Sequence, residues 1–440
     1  MGDTANSQIP PTGRLAAFRY RDFRLFWLSL FISNVGTWMQ MTATNWLLYQ
    51  LTNSPVQLGL NGVFRAIPAI GLGLISGTFA DRYDRRKLLL LTQLVLGALS
   101  LGLGALDQAG HIQAWQIYLF TFISSSVGSF DGPARQALFP QLVPRAVLPN
   151  AVALNSLLWK GAALIGPTLG GIAIAAMGTA GAFYANAVSF LAVVIALLLM
   201  HSRAAAPVVK RRHFLQETRD GFSYIISRPI VLGLTLMEAV ASVLGLDHAM
   251  LTILASDVFQ VGAQGFGFLQ SARGVGAVIG SSFFIAMGQR PAQGRILFVS
   301  AVLYGAGFAI FGLAPSFPIA LILLAFVGAT DTIWGAARGT ILQMLTPEHF
   351  RGRVMGVFQL SNRGLHPLGQ TETGLIVPLI GAREATFLGG AVISVITLLT
   401  VWRVPGIAKF RLDTIEEQWA VNPPPQTVAR VDSKLAGVDS

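Results

Sequence analysis

The chain has no cysteine. That excludes disulfides, thiolate metal ligands and thiol nucleophiles, and it leaves the redox compartment unread. Charge is scarce as well: Asp, Glu, Lys and Arg are 12% of 440 residues, against roughly 25% in an ordinary soluble domain. Acidic residues are the scarcer sign, 20 against 31 basic, giving a formal charge of +11. No Gly-x-x-x-x-Gly-Lys-Ser/Thr loop is present, which argues against a built-in ATPase. The first 24 residues contain no short apolar core followed by a small-residue cleavage site, so no removable signal peptide is expected.

What is abundant is apolar surface. Hydrophobic residues make up 53% of the chain and the mean hydropathy is +0.60, an excess suited to a chain solvated by lipid. Because a helix needs about 20 apolar residues to cross a bilayer, the sequence predicts twelve spans. They lie at 23–51, 56–80, 87–107, 113–136, 147–176, 180–200, 229–257, 264–288, 295–313, 317–338, 352–380 and 384–404. The fold class expected is all-α integral membrane.

The basic residues fall on one side of these spans. Arg82, Arg85, Arg86, Lys87, Arg145, Lys210, Arg211, Arg212, Arg290 and Arg351 occupy alternate short loops, whereas the opposite loops hold only Arg383. By the positive-inside rule both termini are expected in the cytoplasm of a cell-membrane protein. This distribution explains the basic charge without nucleic acid. The expected layout is a cytoplasmic tail over 1–22, six helices over 23–200, a basic cytoplasmic linker over 201–228, six more helices over 229–404, and a polar, Pro-containing cytoplasmic tail over 405–440 read as disordered.

The two halves echo each other. GPARQALFPQLVP (132–144) and GAARGTILQMLTP (335–347) share Gly-x-Ala-Arg and Leu-x-Pro, with Arg135 and Arg338, and Pro144 and Pro347, each 203 positions apart. A weaker pair aligns Arg65 with Arg273. Six helices per half give parallel repeats related by an axis along the membrane normal, with the binding site expected between them near the midplane.

Five stretches carry a family likeness. GTFADRYDRRKL (77–88) has Gly77, Asp81, Arg82, Arg85 and Arg86 at the spacing of a signature loop between helices 2 and 3. LIGPTLGG contains Gly166, Pro167, Gly170 and Gly171 in segment 5, a match to an exporter motif that is also an ordinary small-residue packing face. SNVGTWMQ, LTNSP and LPNAVALNS complete the set. Together they resemble the major facilitator superfamily, in its enterobactin-exporter and macrolide-efflux-like branch, over about residues 20–404. The resemblance implies a twelve-helix transporter working by alternating access. It also implies that Asp81, Arg85, Asp131 and Arg135 form a conformational latch, with Asp131 completing a charge relay from helix 4. Asp84 stands where that family usually has Gly.

Ionisable residues inside a bilayer are costly, at least about 2.5 kcal/mol each at a helix centre, and so are candidates for function. They are Arg65, Glu238, Asp247, Arg273, Asp331, Arg338 and Glu372, with Arg363, and with Lys160 at a helix start. Similar depth suggests that Asp247 pairs with Arg273, and the resemblance, which implies that helices 2 and 11 meet across the halves, makes Glu372 a partner for Arg65. Glu238, Asp247 and Glu372 are the candidate proton carriers, structural pairing being the alternative. His248 and His366 lack metal-ligand spacing, and neither a metal nor a cofactor nor a catalytic triad is expected. Trp38, Trp46 and Phe64 either line a cavity or pack.

The function expected is secondary active export of a small amphipathic organic molecule, drug-like or a siderophore, with protons as the coupling ion. The alternatives are an importer of a small organic solute and a non-transporting membrane protein of the same fold. An enzyme and a sensor are disfavoured by the absence of a polar cluster near one membrane face and of a tail long enough for a soluble domain.

Overall fold

The computed structural model describes residues 13, 15–73, 76, 83–201, 214–288 and 290–414. Thirteen helices account for most of them and no strand occurs among the described residues. In chain order they are α1 (Arg21–Thr52), α2 (Pro55–Gly71), α3 (Arg85–Gln108), α4 (Ala114–Leu138), α5 (Leu148–Leu199), α6 (Phe214–Ser227), α7 (Pro229–Leu244), α8 (His248–Ile253), α9 (Gly262–Ala286), α10 (Gln293–Gly312), α11 (Phe317–Leu345), α12 (Glu348–Ile380) and α13 (Ala382–Arg403).

Among the described residues seven helical stretches are long and apolar enough to cross a membrane: α3, α5 with the turn before it, α7 through Val258, α9, α10, α11 and α13. The other segments expected to span, α1, α2, α4 and α12, are helical too. They carry more polar side chains, or in α2 too few described residues, to qualify by composition. Large apolar side chains such as Leu91, Leu101, Val188, Leu198 and Ile322 are exposed, which suits a lipid-facing exterior.

Local chemistry sets the boundaries. Asp84 accepts from the backbone N–H groups of Arg86 and Lys87, at 2.9 and 3.2 Å, and so caps α3; this is the position where the resemblance leads one to expect Gly. Within α5, Gly178 adopts φ 73°, a left-handed conformation that L side chains rarely take, and the helix divides there into limbs over 148–177 and 179–199. Segment 7, an unbroken apolar run in sequence, is interrupted. α7 stops at Leu244, and Asp247 starts a new helix by accepting from Met250 N–H at 2.8 Å. A π-helical turn over Leu254–Val258 follows.

The linker and the tail are less loose than their composition suggests. α6 lies against α12, with Tyr224 donating to the Leu345 carbonyl at 2.8 Å and Arg353 pairing with Asp220 at 3.0 Å. Past α13 the chain folds back under α10: Gly294 N–H donates to Phe410 C=O at 3.0 Å, and Ile407 and Phe410 are fully buried. The disorder expected of the tail does not hold for residues 405–414; residues 415–440 lie outside the described residues.

Contacts within the N-terminal set are dominated by α1 and α3 on α5, with α4 touching α2 and α3; in the C-terminal set α10 packs on α11 and α13, and α9 on α11. Two seams join the sets, α2 against α12 and α5 against α9. Both are made by backbone. A Cβ on Gly62 would lie 2.5 Å from the Pro367 carbonyl oxygen, and one on Gly59 would lie 3.0 Å from the Gly374 Cα. A Cβ on Gly171 would lie 2.5 Å from Ala263 O, and one on Gly267 would lie 2.6 Å from Pro167 O.

Candidate functional site: a cavity between the helix sets

The α2–α12 seam is tight at one end only. Gly71, Gly73, Gly352 and Gly356, nearer the basic loops, have nothing within 4 Å of an added Cβ. A cavity of about 1010 Å³ opens there and runs inward between α1, α2, α4, α5 and the start of α12. Its wall is mixed: Asn34, Thr37, Gln40 and Ser125 among polar groups, Phe120, Phe190 and Leu103 among apolar ones.

The opposite end is held shut by hydrogen bonds between the sets. Tyr49 on α1 donates to Asp257 on the π turn at 2.5 Å. Thr371 on α12 donates to the Gly59 carbonyl at 3.2 Å. Deeper in, Thr168 donates to Ser271 at 2.6 Å, and His248 meets Gln270 at 3.0 Å, whose amide nitrogen donates to Thr42 at 3.3 Å. Trp38 packs beside His248, Trp46 stacks on Phe266 and Phe64 on Tyr118, so these aromatics pack rather than line the cavity.

The residues expected to form the latch are described only in part. Gly77, Asp81 and Arg82 lie outside the described residues. Asp131 is a buried hub: one oxygen takes Arg135 Nε at 2.5 Å, the other accepts from Thr92 at 2.9 Å and Gln93 at 2.7 Å. Arg85 reaches the Ala137 carbonyl at 3.4 Å and Arg86 the Leu198 carbonyl at 3.3 Å, tying α3 to the ends of α4 and α5.

Gly166 and Gly170 face α1, against Trp38 and Met39, whereas Pro167 and Gly171 face α9. The segment 5 motif is therefore packed on both sides by other helices.

The charged pairs differ from those expected at two places. Arg273 pairs with Asp331 at 3.0 Å, not with Asp247. It does reach the break before α8, but donates to the Leu246 carbonyl at 3.2 Å. Asp247 is occupied by its capping bond and by Thr373 at 2.5 Å. Nor do Arg65 and Glu372 form an ion pair. Arg65 sends Nη1 to the Met41 sulfur at 3.2 Å, and Glu372 has no hydrogen bond or ion pair with a described residue. A pair the sequence did not suggest joins Glu238 on α7 to Arg338 on α11. Arg338 also lies over the Trp334 ring at 4.7 Å and Phe358 at 5.0 Å. Its repeat partner by sequence, Arg135, likewise holds a buried carboxylate. Lys160 donates to Ser281 at 3.0 Å. The Arg363 side chain lies outside the described residues.

A family profile described as "transmembrane secretion effector" matches residues 12–433. The chain belongs to the major facilitator superfamily. It is accordingly a multi-pass membrane transporter by family, not an enzyme. Among superfamily relatives, an uncharacterised MFS-type transporter, YfiS of Bacillus subtilis, is 27% identical over 84% of this chain and 90% of its own. The enterobactin exporter EntS of Shigella boydii is 29% identical over 86% and 91%. Solved superfamily folds align as well. A POT family transporter in complex with a thioalcohol-conjugated peptide gives a TM-score of 0.70 at 16% identity over 88% of this chain and 96% of its own. A bacterial homologue of the iron transporter ferroportin in an inward-facing state gives 0.64 at 14% over 86% and 98%.

Proposed function

We propose that the protein is a secondary active exporter of a small amphipathic organic molecule, working by alternating access in the cell membrane. In this reading twelve helices cross the bilayer as two six-helix halves, both termini are cytoplasmic, and the halves rock about the cavity. The observation that carries it is the asymmetry of the α2–α12 seam, closed by Gly59, Gly62 and Thr371 at one end and parted at the end bearing the basic loops. That is the form expected of a transporter loading from the cytoplasm, given the positive-inside orientation. The direction of transport draws support from the exporter relative EntS and from Gly166, Pro167, Gly170 and Gly171 on α5.

The latch assigned to Asp81, Arg85, Asp131 and Arg135 would close the parted end. Protons are the proposed coupling ion. Of the three candidate carriers, Glu238 is engaged by Arg338 and Asp247 by Thr373 and the start of α8. Glu372 has neither kind of partner among the described residues, so it is the acid free to exchange a proton. Glu372→Gln is expected to leave substrate binding intact and abolish transport driven by a pH gradient; full gradient-driven activity in this variant would remove Glu372 from the mechanism.

The test of export is accumulation of a compound panel in efflux-deficient cells carrying wild type or Asp81→Asn, with and without an uncoupler. Lower accumulation with wild type alone, abolished by the uncoupler, is the expected result. Higher accumulation with wild type would make the protein an importer.

A further inference from the structure

Among the described residues four ionisable side chains line the cavity: Arg65, Arg135, Arg353 and Asp131. Two of the cations are matched. Arg135 sits on Asp131 at 2.5 Å, and Arg353 reaches out to Asp220 at 3.0 Å. Arg65 has no carboxylate among the described residues. There its guanidinium makes one hydrogen bond, to the Met41 sulfur at 3.2 Å, and a thioether is a weak acceptor. The Arg65 carbonyl is taken by Ser125 Oγ at 2.8 Å, so the backbone on which the side chain stands is fixed.

Arg135, Arg273 and Arg338, intramembrane arginines whose side chains are described, each have a carboxylate. A guanidinium carries five N–H donors in a planar fork. An unpaired charge at this depth is costly. The cost is offset if the missing counter-charge arrives with the cargo.

A second feature points the same way. The Gln40 side-chain oxygen accepts from the Asn186 amide at 2.5 Å, with Ser100 Oγ, which also reaches the Phe183 carbonyl, 2.6 Å away. Gln40 lines the cavity, and its NH₂, a pure donor, has no acceptor among the described residues. A wall offering an unmatched guanidinium and an amide N–H donor, and lined also by Phe120 and Phe190, is complementary to an anionic head on an apolar body.

We infer that the cargo is an amphipathic organic anion, carboxylate, sulfonate or phosphate in its head group, and that Arg65 is its anchor. This rests on the transporter reading for the word cargo, but not for the site itself. The bidentate fit of a guanidinium to two anionic oxygens sets the head-group class. Organic cations are disfavoured by the same field.

Two probes with one apolar body and opposite heads test it: naphthalene-2-sulfonate and 2-naphthyltrimethylammonium. Binding to the full chain in lipid nanodiscs is measured by titration calorimetry, with empty nanodiscs as the blank, for wild type, Arg65→Gln and Arg65→Lys. The expected result is sulfonate binding at least about tenfold tighter than ammonium binding in wild type, lost in Arg65→Gln and partly kept in Arg65→Lys. Ammonium binding equal to or tighter than sulfonate binding, no sulfonate binding, or full sulfonate binding by a folded Arg65→Gln would each overturn the inference. If Arg65→Gln does not fold, the wild-type comparison of the two probes decides alone. Flux in proteoliposomes separates the two claims. A chain that binds the sulfonate without moving it keeps the anion site and loses the transporter reading. One that moves the ammonium and not the sulfonate loses the anion site and keeps transport.

Discussion

Arg338 is held on three sides, by the Glu238 carboxylate and by the faces of Trp334 and Phe358. Removing one member of a buried pair strands the other's charge, typically at a cost of about 3–5 kcal/mol, whereas replacing both with apolar groups is often neutral or stabilising. Arg338→Ala is therefore expected to lower the thermal midpoint of the purified protein sharply, and Glu238→Leu/Arg338→Met to restore most of it. A double variant as unstable as the single one would show that the cation–π stacking, not the ion pair, dominates. Asp247 is a different case. Its partners are an N-terminal amide and Thr373, so Asp247→Ala is expected to cost about 0.5–2 kcal/mol through the lost cap, and adding Arg273→Ala should bring no rescue. Rescue in that double variant, read from the same thermal midpoints, would restore the Asp247–Arg273 coupling that equal depth suggested.

These residues show what depth in a sequence cannot supply. Counting inward placed Asp247 and Arg273 at one level, and Arg273 does reach that level, but at the Leu246 carbonyl. Depth carries no information on which way a side chain points round its helix. Asp131 and Arg135 were legible because four residues on one helix fix both depth and direction. Glu238 and Arg338 were not, because their meeting depends on how α7 and α11 are rotated against each other.

Among elements, the breaks divide in the same way. The gap near Gly178 was readable as the turn between two apolar runs, and its positive φ explains why glycine stands there. The interruption of segment 7 was hidden, since residues 229–257 form one apolar stretch without proline after Pro229. Only the capping geometry of Asp247 discloses it. The amphipathic α6 was read as a loop because its charged neighbours outweighed its short periodic core. The glycines of the α2–α12 seam make a prediction at this scale. Gly62→Val places a branched side chain where a Cβ alone would sit 2.5 Å from Pro367 O. The seam is then expected to part. Since the sequence has no cysteine, single cysteines can be labelled without background. Gln370→Cys, a smaller side chain at a position buried against Gly62, should react faster with a membrane-impermeant maleimide in the Gly62→Val background, and an unchanged rate would mean that the seam yields without opening.

For the whole molecule, composition made a membrane transporter legible, and the motifs made the superfamily legible. Which end of the cavity is open, and that Arg65 lacks a carboxylate among the described residues while Arg135, Arg273 and Arg338 each have one, depended on the arrangement of helices far apart in sequence. The fold-back after α13 belongs to this scale too. Ile407 and Phe410 are fully buried beneath α10, so Phe410→Ala is expected to destabilise the fold by about 3–5 kcal/mol. Truncation after residue 414 is expected to leave the thermal midpoint unchanged, and a loss of stability on that truncation would mean the last residues dock.

Where Gly59 meets Gly374 and Gly171 meets Gly267, no rotamers stand between the chains. At these points the seam separates and closes again without a side chain having to find a socket, leaving bonds such as Thr371 to the Gly59 carbonyl and Thr168 to Ser271 to re-form, and backbone against backbone leaves no side-chain crevice there while closed. A blocker arriving from that side has nothing to grip. An inhibitor of this protein therefore has to compete for the open cavity, by the route the cargo takes.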